Sequence, residues 1–184
     1  MDTKQRIIET ASHLFYVQGY QSTGINQIIA EANVAKGSLY NHFESKSALG
    51  QAYVRSVSEN WFAGFEDALL GYDGAKEKLI GAFDFLQQYA KSNKFNGCRL
   101  INILTEIADS DEEIRILVVD HKQKFRKQLF HIASQVFEDP EKAQSVSDSL
   151  YLLYEGATVE SKIYKRNWPI ELAKLTAEKL LKEN

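Results

Sequence analysis

Residues 23–43 read Thr23-Gly24-Ile25-Asn26-Gln27-Ile28-Ile29-Ala30-Glu31-Ala32-Asn33-Val34-Ala35-Lys36-Gly37-Ser38-Leu39-Tyr40-Asn41-His42-Phe43, and this stretch decides the fold. Ile25, Ile28, Ile29 and Ala32 recur at helical spacing. A helix of about eight residues is expected there, with Ser22 and Thr23 as its N-cap residues. Leu39 and Phe43, four residues apart, mark the inner face of a second short helix that follows at once. Two short helices joined by a tight corner, beside a third, describe a helix-turn-helix. Such a corner needs a residue at positive φ, and asparagine tolerates that next best after glycine, which points to Asn33. Val34 then plugs the corner into the small core. With Leu39 and Phe43 inward, Ser38, Tyr40, Asn41 and His42 point outward or sideways, and all four can hydrogen bond. Gly37 lets a phosphate or base edge approach the backbone. Lys36 and Lys46 add charge near two helix starts, where free N–H groups favour anions.

Working outward, the apolar period stays close to 3.6 along the chain. Ile7, Ile8, Ala11, Leu14 and Phe15 form a first helix, with Asp2 or Thr3 as N-cap and Gly19 closing it. Ser45 caps a long helix to about Leu70. Further helices are expected over Leu79 to Tyr89, Leu100 to Ala108, Ile114 to Phe137, Pro140 to Tyr164 and from Trp168 onward. Asp109-Ser110-Asp111 restarts the chain with N-cap residues, and Pro140 opens a helix where proline is tolerated. No strand alternation is present. The prediction is an all-α chain of about nine helices. An N-terminal three-helix domain over 1–48 that carries the helix-turn-helix precedes a larger helical domain over 49–184.

Composition agrees. The 184 residues include 2 Pro, with none before position 140, and are 44% hydrophobic, which excludes broad disorder. The single cysteine, Cys98, excludes an intramolecular disulfide and a thiolate zinc cluster within one chain. The densest apolar run, Ile114 to Val119, is broken by Arg115, so no membrane helix is expected, and no targeting segment opens the chain. A cytoplasmic protein without cofactor or metal is the expectation. The four His make no Glu-x-x-His pattern, and neither a P-loop lysine nor Gly-x-Ser-x-Gly is present, so no catalytic residue is assigned. Net charge is −3, and residues 1–60 balance five basic against five acidic side chains. Any affinity for nucleic acid must come from local placement.

The stretch from Thr23 to Leu49, above all Lys36-Gly37-Ser38-Leu39-Tyr40 followed by His42-Phe43 and Ser45-Lys46, resembles the TetR family of bacterial transcriptional regulators. Asn33 stands where that family often has glycine. The resemblance implies a dimeric, ligand-responsive repressor that leaves double-stranded operator DNA when a small-molecule effector binds, with a DNA-binding domain over 1–48 and a ligand-binding and dimerisation domain over 49–184. Lys36, Gly37, Ser38 and Tyr40 match positions touching bases or phosphates, and Thr23, His42 and Lys46 match phosphate contacts. Asn41 faces the groove, and Asn26 and Gln27 are secondary candidates. Packing between the third and fourth helices is the alternative for Tyr40 and His42, and simple solvation the alternative for Lys46. The other overall reading is a helical ligand-binding or adaptor protein whose helix-turn-helix is vestigial.

For the effector, the resemblance places a pocket among the fourth to eighth helices. Phe62, Phe65, Phe83, Tyr89, Tyr151 and Tyr154 supply an apolar wall, with core packing as their alternative role. Cys98, Asn102, His121 and Glu155 supply polar groups inside it. The segment from Gly97 to Glu113 further resembles the NemR/AcuR-like subgroup, in whose NemR-like members a cysteine in this neighbourhood senses electrophiles and oxidants. A buried small hydrophobe is the other reading of Cys98. The last two helices carry Leu150, Leu153, Ala157, Ile170, Leu172 and Leu175, an apolar stripe expected to pair with a second copy in a C2 dimer.

Overall fold

The computed structural model describes residues 2–108 and 111–182. Among the described residues there are nine α-helices and no strand. They are α1 (Thr3–Val17), α2 (Ile25–Glu31), α3 (Lys36–His42), α4 (Lys46–Leu69), α5 (Ala75–Ser92), α6 (Arg99–Leu104), α7 (Glu112–Ala133), α8 (Pro140–Tyr164) and α9 (Trp168–Lys182). The chain divides into two compact units, Met1–Trp61 with Arg99–His121, and Phe62–Cys98 with Lys122–Asn184. The helix-turn-helix unit therefore also contains α6 and the first half of α7.

In the first unit α1 packs on α2, α3 and α6. Its stripe of Ile7, Ala11, Leu14 and Phe15 is buried, together with Ile28, Leu39 and Phe43. Each such side chain contributes about 1.5–3 kcal/mol by leaving water. Tyr53 of α4 meets Phe15 edge-on at 5.5 Å. The predicted corner forms: Asn33 has φ 50°, its neighbour Val34 is half-buried, and Arg6 of α1 donates to the Asn33 carbonyl at 3.5 Å. Ser45 caps α4 by accepting from the Ala48 N–H at 3.0 Å.

The second unit is built from the far half of α4, α5, the far half of α7, and α8 and α9, with α5 and α8 both packed on α9. Pro140 sits in the first turn of α8, and Asp139 caps that helix by accepting from the Glu141 N–H at 3.0 Å.

Three local expectations change. α2 starts from Gly24 in extended conformation, because Thr23 is turned inward and its hydroxyl donates to the Gly19 carbonyl at 2.7 Å. α6 stops at Leu104, where Thr105 Oγ1 donates to the Asn102 carbonyl and the Glu106 N–H turns back to Ile103. α7 stops at Ala133, followed by tight i→i−3 turns through Gln135 and Val136. The expected restart at Asp109 and Ser110 lies outside the described residues.

Candidate functional site

Buried Leu39 and Phe43 fix the rotation of α3. That rotation leaves Lys36, Gly37, Tyr40, Asn41 and His42 exposed on one continuous face, with Ser38 half-buried at its edge. Tyr40 is 44% exposed and the Lys36 ammonium lies 6.0 Å from its ring centre. A Cβ built on Gly37 would meet nothing, so the backbone there is open to an approaching partner. Tyr40 and His42 are both exposed.

The other sequence-predicted contacts divide. Asn26 is exposed. Gln27 is half-buried and donates to Gln18 at 3.1 Å and Glu31 at 2.9 Å. Thr23 is a correction: it is fully buried and its hydroxyl is spent on Gly19, so this side chain does not present itself to a phosphate. Lys46 is half-buried, with its ammonium 4.6 Å above the Tyr20 ring and 3.4 Å from the Gln21 carbonyl. Burial lowers its pKa, against the opposing pull of the Glu106 and Asp111 carboxylates. Burial, with Asp111 second, raises the Tyr20 phenol to about 12.

The sequence profile described as bacterial regulatory proteins, tetR family, matches residues 7–53. NemR, an HTH-type transcriptional repressor of Escherichia coli (strain K12), is 24% identical over 187 residues, spanning 94% of this chain and 90% of its own. LmrA, an HTH-type transcriptional regulator of Bacillus subtilis (strain 168), is 52% identical over 58 residues, 32% of this chain and 30% of its own. The crystal structure of SCO4454, a TetR-family transcriptional regulator from Streptomyces coelicolor, superposes with a TM-score of 0.91 at 24% identity, over 100% of this chain and 90% of that one.

Residues 7–53 match the tetR family of bacterial regulatory proteins, and the whole chain shares the fold of SCO4454.

The second unit gathers five of the ten predicted effector residues, Phe65, Phe83, Tyr89, Tyr151 and Tyr154, into one aromatic cluster. Phe125 of α7 is its centre, meeting Tyr154 at 4.8 Å, Phe65 at 5.4 Å and Tyr151 at 5.9 Å. Phe83 joins through Tyr154, and Tyr89 joins through Phe85. Phe62 is buried beneath the Lys124 ammonium at 3.9 Å. Burial, with Glu155 second, pushes the Tyr154 phenol well above its ordinary range.

Beside these rings lies a polar group. The Lys122 ammonium donates to both Glu155 oxygens at 2.7 Å and stands 3.8 Å from the Cys98 sulfur. Burial pulls the Lys122 pKa down, but Cys98 and Glu155 outweigh it and the net shift is upward.

Asn102 and His121 belong to the first unit. There His121 is buried, with Nδ1 2.9 Å from Ser58 Oγ and its ring edge-on to Trp61 at 5.1 Å. Two open grooves of the second unit, about 540 Å³ near Tyr72 and Lys174 and about 300 Å³ near Arg126 and Phe130, are lined by none of the predicted effector residues. Lys122 and Phe125, the hubs of the cluster, escaped the sequence reading. Phe125 continues the buried α7 row after His121 and was legible as core, whereas a lysine in the middle of a polar run reads as surface.

Proposed function

We propose that this chain is a dimeric DNA-binding transcriptional repressor of the cytoplasm, released from double-stranded operator DNA by a small-molecule effector. One observation carries the reading: a polar face from Lys36 to His42 stands exposed on a helix whose seat is fixed by the left-handed Asn33 corner. A helix presented this way suits the major groove, where hydrogen-bonding side chains read base edges. The named relatives, transcriptional repressors and regulators, support the same reading. The reading head is residues 1–48, and residues 49–184 bind the effector and dimerise. The effector contacts are drawn from Phe65, Phe83, Tyr89, Tyr151 and Tyr154, with Glu155, Lys122 and Cys98 as polar anchors.

Dimerisation through α8 and α9 is supported by what these helices leave uncovered. Leu150, Ala157 and Ile170, expected on the pairing face, are buried within the chain. Leu172 and Leu175, also expected there, are exposed on α9 and are joined by Trp168 and by Leu152, Val159 and Ile163 on α8. Leu152, Gly156, Val159 and Ile163 follow i, i+4, i+7, i+11 and so share one side of α8. The Gly156 Cα has open space around it, which admits a close helix.

The test is fluorescence anisotropy on tiled duplexes flanking the chain's own gene, at two salt concentrations with excess nonspecific competitor. The expected result is one duplex that survives competition and whose affinity falls steeply with salt. Uniform weak binding there, followed by failure to select any duplex from a random library, overturns the reading in favour of an adaptor.

A further inference from the structure

At roughly 100° per residue, the residues of α3 fall into stripes of positions four apart. Leu39 and the capping residue Phe43 form the inward stripe and are buried. Lys36 and Tyr40 form one flank, with the ammonium 6.0 Å from the ring centre. Ser38 and His42 form the other, with the His42 ring 6.3 Å from that of Phe43. Gly37 and Asn41 make up the remaining stripe, roughly 160° and 200° round the axis from Leu39. They lie opposite the seat of the helix, are the outermost residues of α3, and are both exposed.

Glycine at position 37 has no cause within the chain. It is among the weakest helix formers, its φ is not positive, and a Cβ built on it would meet nothing within 4 Å. Neither the backbone nor the packing excludes a side chain there. Its use is therefore clearance for a surface outside the chain. One turn on, on the same stripe, the Asn41 amide makes no hydrogen bond among the described residues, whereas the Gln27 amide on α2 is engaged with Gln18 and Glu31. Asn41 is the one exposed side chain of α3 that carries a donor and an acceptor side by side on one rigid plane. Adenine presents the complementary pair in the major groove, the N7 acceptor beside the N6 donor. Guanine presents acceptors at both places, which would set the amide oxygen against O6.

We propose that Gly37 and Asn41 form an adenine-reading stripe. Asn41 Nδ2 donates to N7 and Oδ1 accepts from N6 of one adenine per half-site, and the bare backbone at Gly37 lets α3 come close enough for this short side chain to reach. The inference rests on the DNA-binding reading above and adds a base identity to it.

The experiment selects duplexes from a random library with wild type, Asn41→Ala and Gly37→Ala, each in the full chain. Wild type is expected to require an A·T pair at one position of each half-site. Asn41→Ala is expected to lose that requirement alone, a fall in discrimination of roughly 5- to 150-fold. Its slope of log affinity against log salt is expected to stay that of wild type, since no phosphate contact is removed. Gly37→Ala is expected to keep or raise the urea midpoint, because nothing in the chain resists the added Cβ, and yet to weaken the same base preference. A duplex carrying 7-deazaadenine at the selected position lacks only the N7 acceptor. It is expected to bind wild type several-fold more weakly than the unmodified duplex and to bind Asn41→Ala equally well.

The same consensus from wild type and Asn41→Ala, a flattened position occupied by G·C, or an equal 7-deazaadenine penalty in both proteins overturns the inference. A Gly37→Ala protein that keeps the full adenine preference overturns the clearance role. Failure of wild type to select any duplex overturns the DNA-binding reading itself, an outcome distinct from a selected duplex that Asn41→Ala reads as wild type does.

Discussion

Gly19 has two reasons to be glycine. Its φ of +100° lies in the region that L side chains rarely adopt, and the Glu106 carboxylate fills the space a Cβ would need. Gly19→Ala is expected to cost about 2 kcal/mol of stability, read as a shift in the urea midpoint at constant slope. A cost within error of zero would show that the turn relaxes freely. Asn33, at φ 50°, sits in the left-handed region that asparagine visits, which is why a single residue identity announced the corner in advance. Cys98 has a neighbour that the sequence did not reveal, the Lys122 ammonium at 3.8 Å. Cys98→Ser is expected to abolish any response of DNA binding to thiol-reactive electrophiles while leaving basal affinity unchanged. A retained response in that variant assigns the chemistry to another group.

At the scale of elements, Phe125 ties α7 to α4 and α8 through three ring contacts. Phe125→Ala is expected to cost about 3–5 kcal/mol, because the rings around it cannot collapse fully into the space. A loss below 1 kcal/mol by chemical denaturation would mean that the cluster repacks. Helices were the most legible part of the sequence. Ser45, Asp139-Pro140 and Asn33 are local signals, and each sits where its backbone chemistry requires. The outward face of α3 was legible too, because buried Leu39 and Phe43 set its rotation. Contacts between distant segments were not. Thr23 reads as a capping or phosphate-binding residue until its hydroxyl is seen on the Gly19 carbonyl four residues back. Lys122 with Glu155, and Glu106 with Gln21, join residues 33 and 85 positions apart, and no periodicity encodes such pairs. The pairing face of α8 was misassigned for a related reason. Leu150 and Ala157 share one helix side and Leu152 and Val159 another, and which side is inward depends on where α9 returns.

For the whole molecule, the uncovered side of α8 and α9 sets the expected assembly. Leu152 is 67% exposed and Leu172 56%, and the row they belong to runs along both helices. The double variant Leu152→Glu with Leu172→Glu is expected to sediment as a monomer and to lose affinity for a duplex with two half-sites far more than for one half-site. A dimer that survives both changes moves the interface elsewhere. Pairing through the exposed apolar row would make abundance a control variable. Half-assembled chains carry one reading head, while the pair carries two, so operator occupancy rises with roughly the square of chain concentration when copies are scarce. A twofold fall in the concentration of this protein would thereby lower operator occupancy more than twofold while copies are scarce, and a regulator that lowers its own synthesis would gain a sharper set point than its ligand affinity alone provides.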